Sequence, residues 1–90
     1  MLKILIIEDD KSIDSILSDE LNQWGYQTKS IEDFSTVYET FEKFEPNLVL
    51  MDISLPYYNG FYWTQRIRQK SNVPIVFISS HSESMDMVQA

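Results

Sequence analysis

The sequence predicts an α/β fold, a doubly wound parallel sheet with helices on both faces, on three observations. Short, almost wholly apolar runs occur at residues 2–7, 48–51 and 75–78. Such runs read as strands buried on both faces, as strands of a parallel sheet are. Between them lie segments whose apolar residues repeat at helical spacing. Strand and helix alternate along the chain, which implies right-handed crossovers between parallel strands.

Each element follows in order. The first strand covers Leu2 to Ile7 and is closed by Glu8-Asp9-Asp10. Ile13, Ile16, Leu17, Leu21 and Trp24 fall on one face of a first helix, which Gly25 stops. Trp24 is expected to close that helix against the sheet. Tyr26 to Ile31, with Gln27 and Lys29 interleaved, reads as an edge strand. Phe34, Val37, Tyr38, Phe41 and Phe44 stripe a second helix that cannot continue through Pro46. Leu48 to Met51 forms the third strand and delivers Asp52 at its end. A shorter helix is expected over Phe61 to about Gln69. Ile75 to Ile78 forms the fourth strand and runs into Ser79-Ser80. Ser84 to Ala90 reads as the first turns of a fourth helix.

Composition narrows the function. Ninety residues hold one domain. The absence of cysteine excludes disulfides, zinc thiolates and thiol nucleophiles and fits a reducing cytosol. No apolar run approaches the roughly 20 residues that cross a bilayer. The short apolar stretch at the N-terminus lacks the length and cleavage site of a signal peptide. A cytoplasmic location is therefore expected, with no membrane contact. With 14 acids against 7 bases, the net charge of −7 repels a phosphate backbone, so these residues are a poor nucleic-acid surface. The same charge suits a metal pocket or a basic partner, or simply keeps the chain soluble.

In an open sheet of this kind, ligands bind beyond the carboxyl ends of the strands. Those ends carry Glu8-Asp9-Asp10, Asp52 and Ser79-Ser80. If the first and third strands are neighbours, their acids converge. Carboxylates gathered there repel one another, and a divalent cation is the usual relief. Hard oxygen ligands without histidine or cysteine nearby favour Mg²⁺. A carboxylate fixed beside such an ion can attack phosphorus and form an acyl phosphate. The Ser79 hydroxyl can then hydrogen-bond the phosphoryl group. Each residue also has an ordinary explanation. Asp10 or Ser12 can do no more than cap the following helix, Ser79 can satisfy a loop backbone, and Asp52 can be a loop acid. Their joint placement at one end of the sheet favours the chemical reading.

At these residues the chain resembles the receiver domain of two-component response regulators, over its whole length. KILIIEDD looks like the family's first-strand motif with its acidic pair. NLVLMDISLPYYNG is similar to the central motif DLVLMDxxLPxxDG, and VPIVFISS to the fourth-strand motif ending in Thr or Ser. The resemblance implies a flavodoxin-like sheet of order 2-1-3-4, with residues 1–90 forming a receiver incomplete at its C-terminus. It implies Asp52 as phosphoacceptor and metal ligand, Asp9 as direct Mg²⁺ ligand, and Glu8 acting more often through water. It further implies the Ser54 backbone carbonyl in the metal shell and the Ser79 hydroxyl on the phosphoryl group. Pro56 and Gly60 would shape the pocket loop. Asn59 stands where Asp is common, with little consequence expected.

The family's fifth strand, its Lys-Pro and its fifth helix do not follow, and Lys70 is in no position to replace that lysine. An exposed fourth-strand edge at Ile75–Ile78 is therefore expected, with either self-association through it or a longer parent protein whose remainder is disordered. The implied partners are a sensor histidine kinase as phosphodonor and DNA, the latter only through a C-terminal effector domain outside these residues. QWGYQTKSIEDFSTVYETFEKFEP and NGFYWTQRIRQKSNVPIVFISS resemble OmpR-type regulators of Gram-positive bacteria that respond to antimicrobial peptides such as bacitracin. Two rival functions remain. In an Mg²⁺-dependent aspartyl phosphohydrolase a second acid would stand where this chain has Ser54. A receiver-like interaction module without phosphorylation would not need the acids. His81 reads as a surface histidine. Tyr57, Tyr58, Tyr62 and Trp63 form a dense aromatic group, part core and part open to a partner.

Overall fold

The structure is a computed structural model that describes residues 2–79 and 86–89, with backbone alone for Ser79 and 86–89. The elements are β1 (Lys3–Ile7), α1 (Lys11–Gln23), β2 (Gln27–Ser30), α2 (Val37–Phe44), β3 (Leu48–Asp52), α3 (Gly60–Arg68), β4 (Ile75–Ser79) and β5 (Asp86–Gln89). The sheet order is β2-β1-β3-β4-β5. The pairs β1–β2, β1–β3 and β3–β4 are parallel, as the crossover pattern requires.

The two faces of the sheet are unequal. Side chains alternate along a strand, so Leu5, Ile7, Val49 and Met51 share one face. There they pack with Phe34, Val37, Tyr38, Phe41, Trp63 and Ile67 from the α2 and α3 side. Ile4, Ile6 and Leu50 occupy the other face, covered by Leu17 and Leu21 of α1. Burial of β1 and β3 on both faces explains their nearly unbroken apolar runs.

The thin second layer corrects the reading of α1. None of its residues is fully buried. Trp24 is 73% exposed and Ile16 68% exposed. The packed stripe is Ile13, Leu17 and Leu21, all half-buried; Trp24 lies past the helix end, its indole N–H bonded to Glu20 at 3.3 Å. Gly25 stops the helix in the left-handed region, with φ 91. The second helix begins three residues after Phe34. The Asp33 carboxylate accepts from the Ser35 amide and hydroxyl, at 2.9 and 2.6 Å, and ties residues 33–36 into a turn. Phe34 still reaches the core from that turn. Glu45 closes α2 with φ 52, immediately before Pro46.

The C-terminal expectation is also corrected. Residues 86–89 form no helix: they run antiparallel to β4 in the register Val76↔Gln89 to Ser79↔Asp86. The sheet thus has a fifth strand, though not the parallel one followed by a helix that the resemblance implies. An apolar strand edge leaves a row of backbone donors and acceptors unpaired, and Asp86–Gln89 satisfies them on β4. The exposed β4 edge expected to drive self-association is therefore covered. Residues 84, 85 and 90 of the expected helix lie outside the described residues, as do Ser80 and His81.

Candidate functional site

β1 and β3 pair from Ile4↔Leu48 to Ile7↔Met51. That register brings the residues following β1 beside Asp52, the last residue of β3. Carboxylate oxygens of Glu8, Asp9 and Asp52 lie within 4.8 Å of one another. The neighbouring-strand condition set by the sequence is met. Asp52 is fully buried and Glu8 2% exposed, while Asp9 is open to solvent.

Two buried acids side by side raise the cost of charging both. The Glu8 carboxyl is pushed up to about 8, first by burial and then by the adjoining Asp52 carboxylate. The Asp10 backbone N–H, bonded to Glu8 Oε2 at 3.0 Å, works in the opposite direction. Among the described residues, no hydrogen-bond donor faces the buried Glu8 Oε1. An orphaned carboxylate oxygen, a second buried carboxylate and an open third one form a hard, anionic oxygen set. That set fits a divalent cation.

Asp10 is the N-cap of α1: its Oδ1 accepts from the amides of Ser12 and Ile13 at 2.9 and 3.3 Å. The capping explanation therefore holds for its side chain. Its backbone N–H is the contribution that the sequence does not announce, because it fixes Glu8. Ser54 lies two residues beyond Asp52, and its backbone N–H bonds Asp52 Oδ1 at 3.2 Å. Ser79 ends β4 next to Ile78, the register partner of Asp52. Its backbone is therefore at the same end of the sheet, while its hydroxyl lies outside the described atoms.

The loop after Asp52 is shaped by two residues. The Gly60 N–H bonds the Ile53 carbonyl at 2.8 Å. A Cβ at Gly60 would overlap the Asp52 carbonyl oxygen, so only glycine lets α3 start here. Asn59 caps α3, its Oδ1 accepting the Tyr62 amide at 3.0 Å. An aspartate would supply the same acceptor, which explains why either residue suits the position before the glycine.

Comparison with known proteins gives one answer. The family profile described as response regulator receiver domain matches residues 4–90. The chain is 48% identical over 89 residues to the response regulator protein GraR of Staphylococcus epidermidis, covering 99% of this chain and 40% of that protein. It therefore spans less than half the length of such relatives. The N-terminal domain of the nisin resistance regulator NsrR, described as a lantibiotic response regulator, superposes with TM-score 0.84 and 46% identity. That match covers 96% of this chain and 73% of the other. The response regulator TrrA of Thermotoga maritima, solved with Mg²⁺-BeF, superposes with TM-score 0.82 and 28% identity over 91% of this chain and 72% of that one. TrrA has also been solved in complex with the histidine kinase ThkA; that copy superposes with TM-score 0.81 at 27% identity, over 92% of this chain and 72% of its own length.

Proposed function

Because the chain belongs to the response regulator receiver domain family, we propose that it is the phospho-accepting domain of a two-component regulator, taking a phosphoryl group on Asp52 from a phosphohistidine of a sensor histidine kinase. The observation that carries this reading is the Asp52 carboxylate, buried at the end of β3 within 4.8 Å of carboxylate oxygens of Glu8 and Asp9. A carboxylate oxygen of Asp52 attacks phosphorus, the P–O bond forms, and the P–N bond to the donor imidazole breaks. Its electron pair returns to the imidazole nitrogen, which takes a proton from solvent.

Asp9, Asp52 and the Ser54 backbone carbonyl would hold Mg²⁺, with Glu8 beside it. Held there, Mg²⁺ would supply positive charge that offsets the charge on the phosphoryl oxygens. Burial keeps Glu8 in an environment that disfavours its charge, and a cation held there would favour its ionised form. The Ser54 N–H holds one Asp52 oxygen and so fixes the carboxylate's rotation. The Ser79 hydroxyl is assigned to the phosphoryl group.

Residues 1–90 are read as one receiver unit that is not a turnover enzyme beyond its own phosphorylation and dephosphorylation. Among the described residues no helix is long and apolar enough to cross a membrane, and the reading places the domain in the cytoplasm. The similarity to GraR and to a lantibiotic response regulator supports a parent protein that answers antimicrobial peptides, with an effector domain that binds DNA outside this chain. The phosphohydrolase alternative is disfavoured because the position two residues after Asp52 is Ser54, which offers no acid.

Incubation with acetyl phosphate and Mg²⁺, followed by intact mass measurement, tests the reading. One added phosphoryl group that disappears in Asp52→Asn is expected. An unmodified mass would leave the interaction module as the better reading, and sustained turnover of phosphate esters would favour the hydrolase.

A further inference from the structure

The sheet ends at β2, which pairs with β1 and with no strand on its other side. The Gln27 amide bonds the Leu2 carbonyl at 2.9 Å, so the backbone groups of Gln27 and Lys29 face β1. Backbone groups point to alternate sides along a strand, which turns the amides and carbonyls of Thr28 and Ser30 outward, away from β1. Such an open row of donors and acceptors is a template for another extended chain.

A cleft of about 430 Å³ opens between this edge strand and α2, lined by Gln27, Thr28, Lys29, Thr40, Lys43 and Phe44. Its lining includes two lysines and no acid, in a chain with 14 acids and 7 bases. Lys29 and Lys43 are exposed, and among the described residues neither is paired with a carboxylate. Lys3, the register partner of Gln27, holds its ammonium 5.3 Å from the centre of the Phe44 ring. A local concentration of positive charge therefore lies along the open edge of an otherwise acidic chain.

We infer that β2 takes an extended acidic segment of a partner protein as an added strand. The segment's backbone pairs with Thr28 and Ser30, and carboxylates on its alternate residues lie over the cleft toward Lys29 and Lys43. Two features of the site select this occupant together. The open edge requires a chain with amides and carbonyls of its own, which a nucleic-acid backbone lacks. The lysines of the lining require negative charge. Lysine on an edge strand ordinarily deters pairing; here the same charge turns away strands without acids and admits one that carries them. A second copy laid edge to edge would bring its own Lys29 and Lys43 to the same seam, where like charges oppose each other. The net charge of −7 acts against an acidic partner at long range, but salt at about 0.1 M screens charges more than about 10 Å away, which leaves the local cations to decide. The inference does not rest on phosphorylation of Asp52.

The test is a titration of the ¹⁵N-labelled full chain with the capped peptide acetyl-Thr-Glu-Val-Glu-Val-Glu-Thr-amide, whose acids recur at every second residue. One counterpart carries glutamine for glutamate; another is N-methylated throughout, keeping the charge and losing the donors. Saturable downfield shifts at the Thr28 and Ser30 amides are expected, with the interior amides of β3 unmoved. The glutamine peptide should bind about fivefold more weakly, the loss of two exposed ion pairs. Lys29→Gln and Lys43→Gln should each weaken the acidic peptide about twofold and leave the thermal melt unchanged. Equal binding of the glutamate and glutamine peptides would overturn the charge assignment. Equal binding of the N-methylated peptide would overturn strand addition. The same shifts with a hexathymidylate would overturn the choice of a protein partner, as would shifts that grow with protein concentration alone, the sign of a second copy at the edge. Unmoved Thr28 and Ser30 amides would overturn the site.

Discussion

The α-carbon of Gly60 lies against the backbone carbonyl of Asp52, so the first residue of α3 and the last residue of β3 share space that no side chain can enter. Gly60→Ala forces its methyl group into backbone rather than into a flexible side chain. The expected cost is about 1–3 kcal/mol, the range for overpacking. Because the displaced atom belongs to Asp52, the rate of phosphorylation by acetyl phosphate should fall as well. Urea denaturation and an intact-mass time course measure the two effects.

The Glu8 carboxyl is held at about 8 against an ordinary 4.5. Between those values the folded state binds a proton that the unfolded chain has lost. This group's contribution to stability is therefore complete below about pH 4.5 and is lost as pH rises through about 8. The limiting slope inside that window is about 1.4 kcal/mol per pH unit. Glu8→Gln should flatten that part of the profile, as read by denaturation of the metal-free protein at several pH values. The same proton opposes a cation, so Mg²⁺ affinity should rise up to about tenfold per pH unit across the window and level off above it.

Asn59 accepts the Tyr62 amide at the start of α3. Asn59→Ala should cost about 1 kcal/mol, whereas Asn59→Asp should be neutral or slightly stabilising, since a carboxylate caps equally well and favours a helix N-terminus. Thermal melts of the two variants separate these outcomes.

The two tryptophans should respond oppositely to truncation. Trp63 is 4% exposed and belongs to the main core, while Trp24 is 73% exposed. Trp63→Ala should cost about 3–5 kcal/mol, and Trp24→Ala should stay within about 0.5 kcal/mol. Chemical denaturation distinguishes them directly.

The sequence was most legible where burial was complete. Ile4 to Ile7 and Val49 to Met51 are enclosed on both faces, and their apolar runs could only be interior strands. The acids were legible for a related reason: a charge directly after such a strand has to emerge at the sheet's end. Legibility failed where the environment was one-sided. Ile16 and Trp24 continue the helical period of α1, yet this layer lacks the depth to cover them. Periodicity reports a face without saying that something packs on it. Residues 86–89 went wrong because a short segment has little local preference, and strand pairing with β4 decided its form. The Asp10 backbone N–H and the Gly60 contact were invisible because they depend on backbone geometry rather than residue pattern.

The parallel register of β1 on β3 also has a kinetic meaning. Ile4 and Leu48 are far apart in sequence, and joining them requires a crossover through α1, β2 and α2. Such distant pairings form slowly. Glu8 meets Asp52 only when that pairing is finished. A divalent cation held by these acids would therefore recognise the native chain alone. It would act on contacts missing at the folding barrier, so its effect should fall on escape from the native state rather than on arrival. The domain's lifetime should lengthen with added Mg²⁺ while its rate of formation stays nearly unchanged.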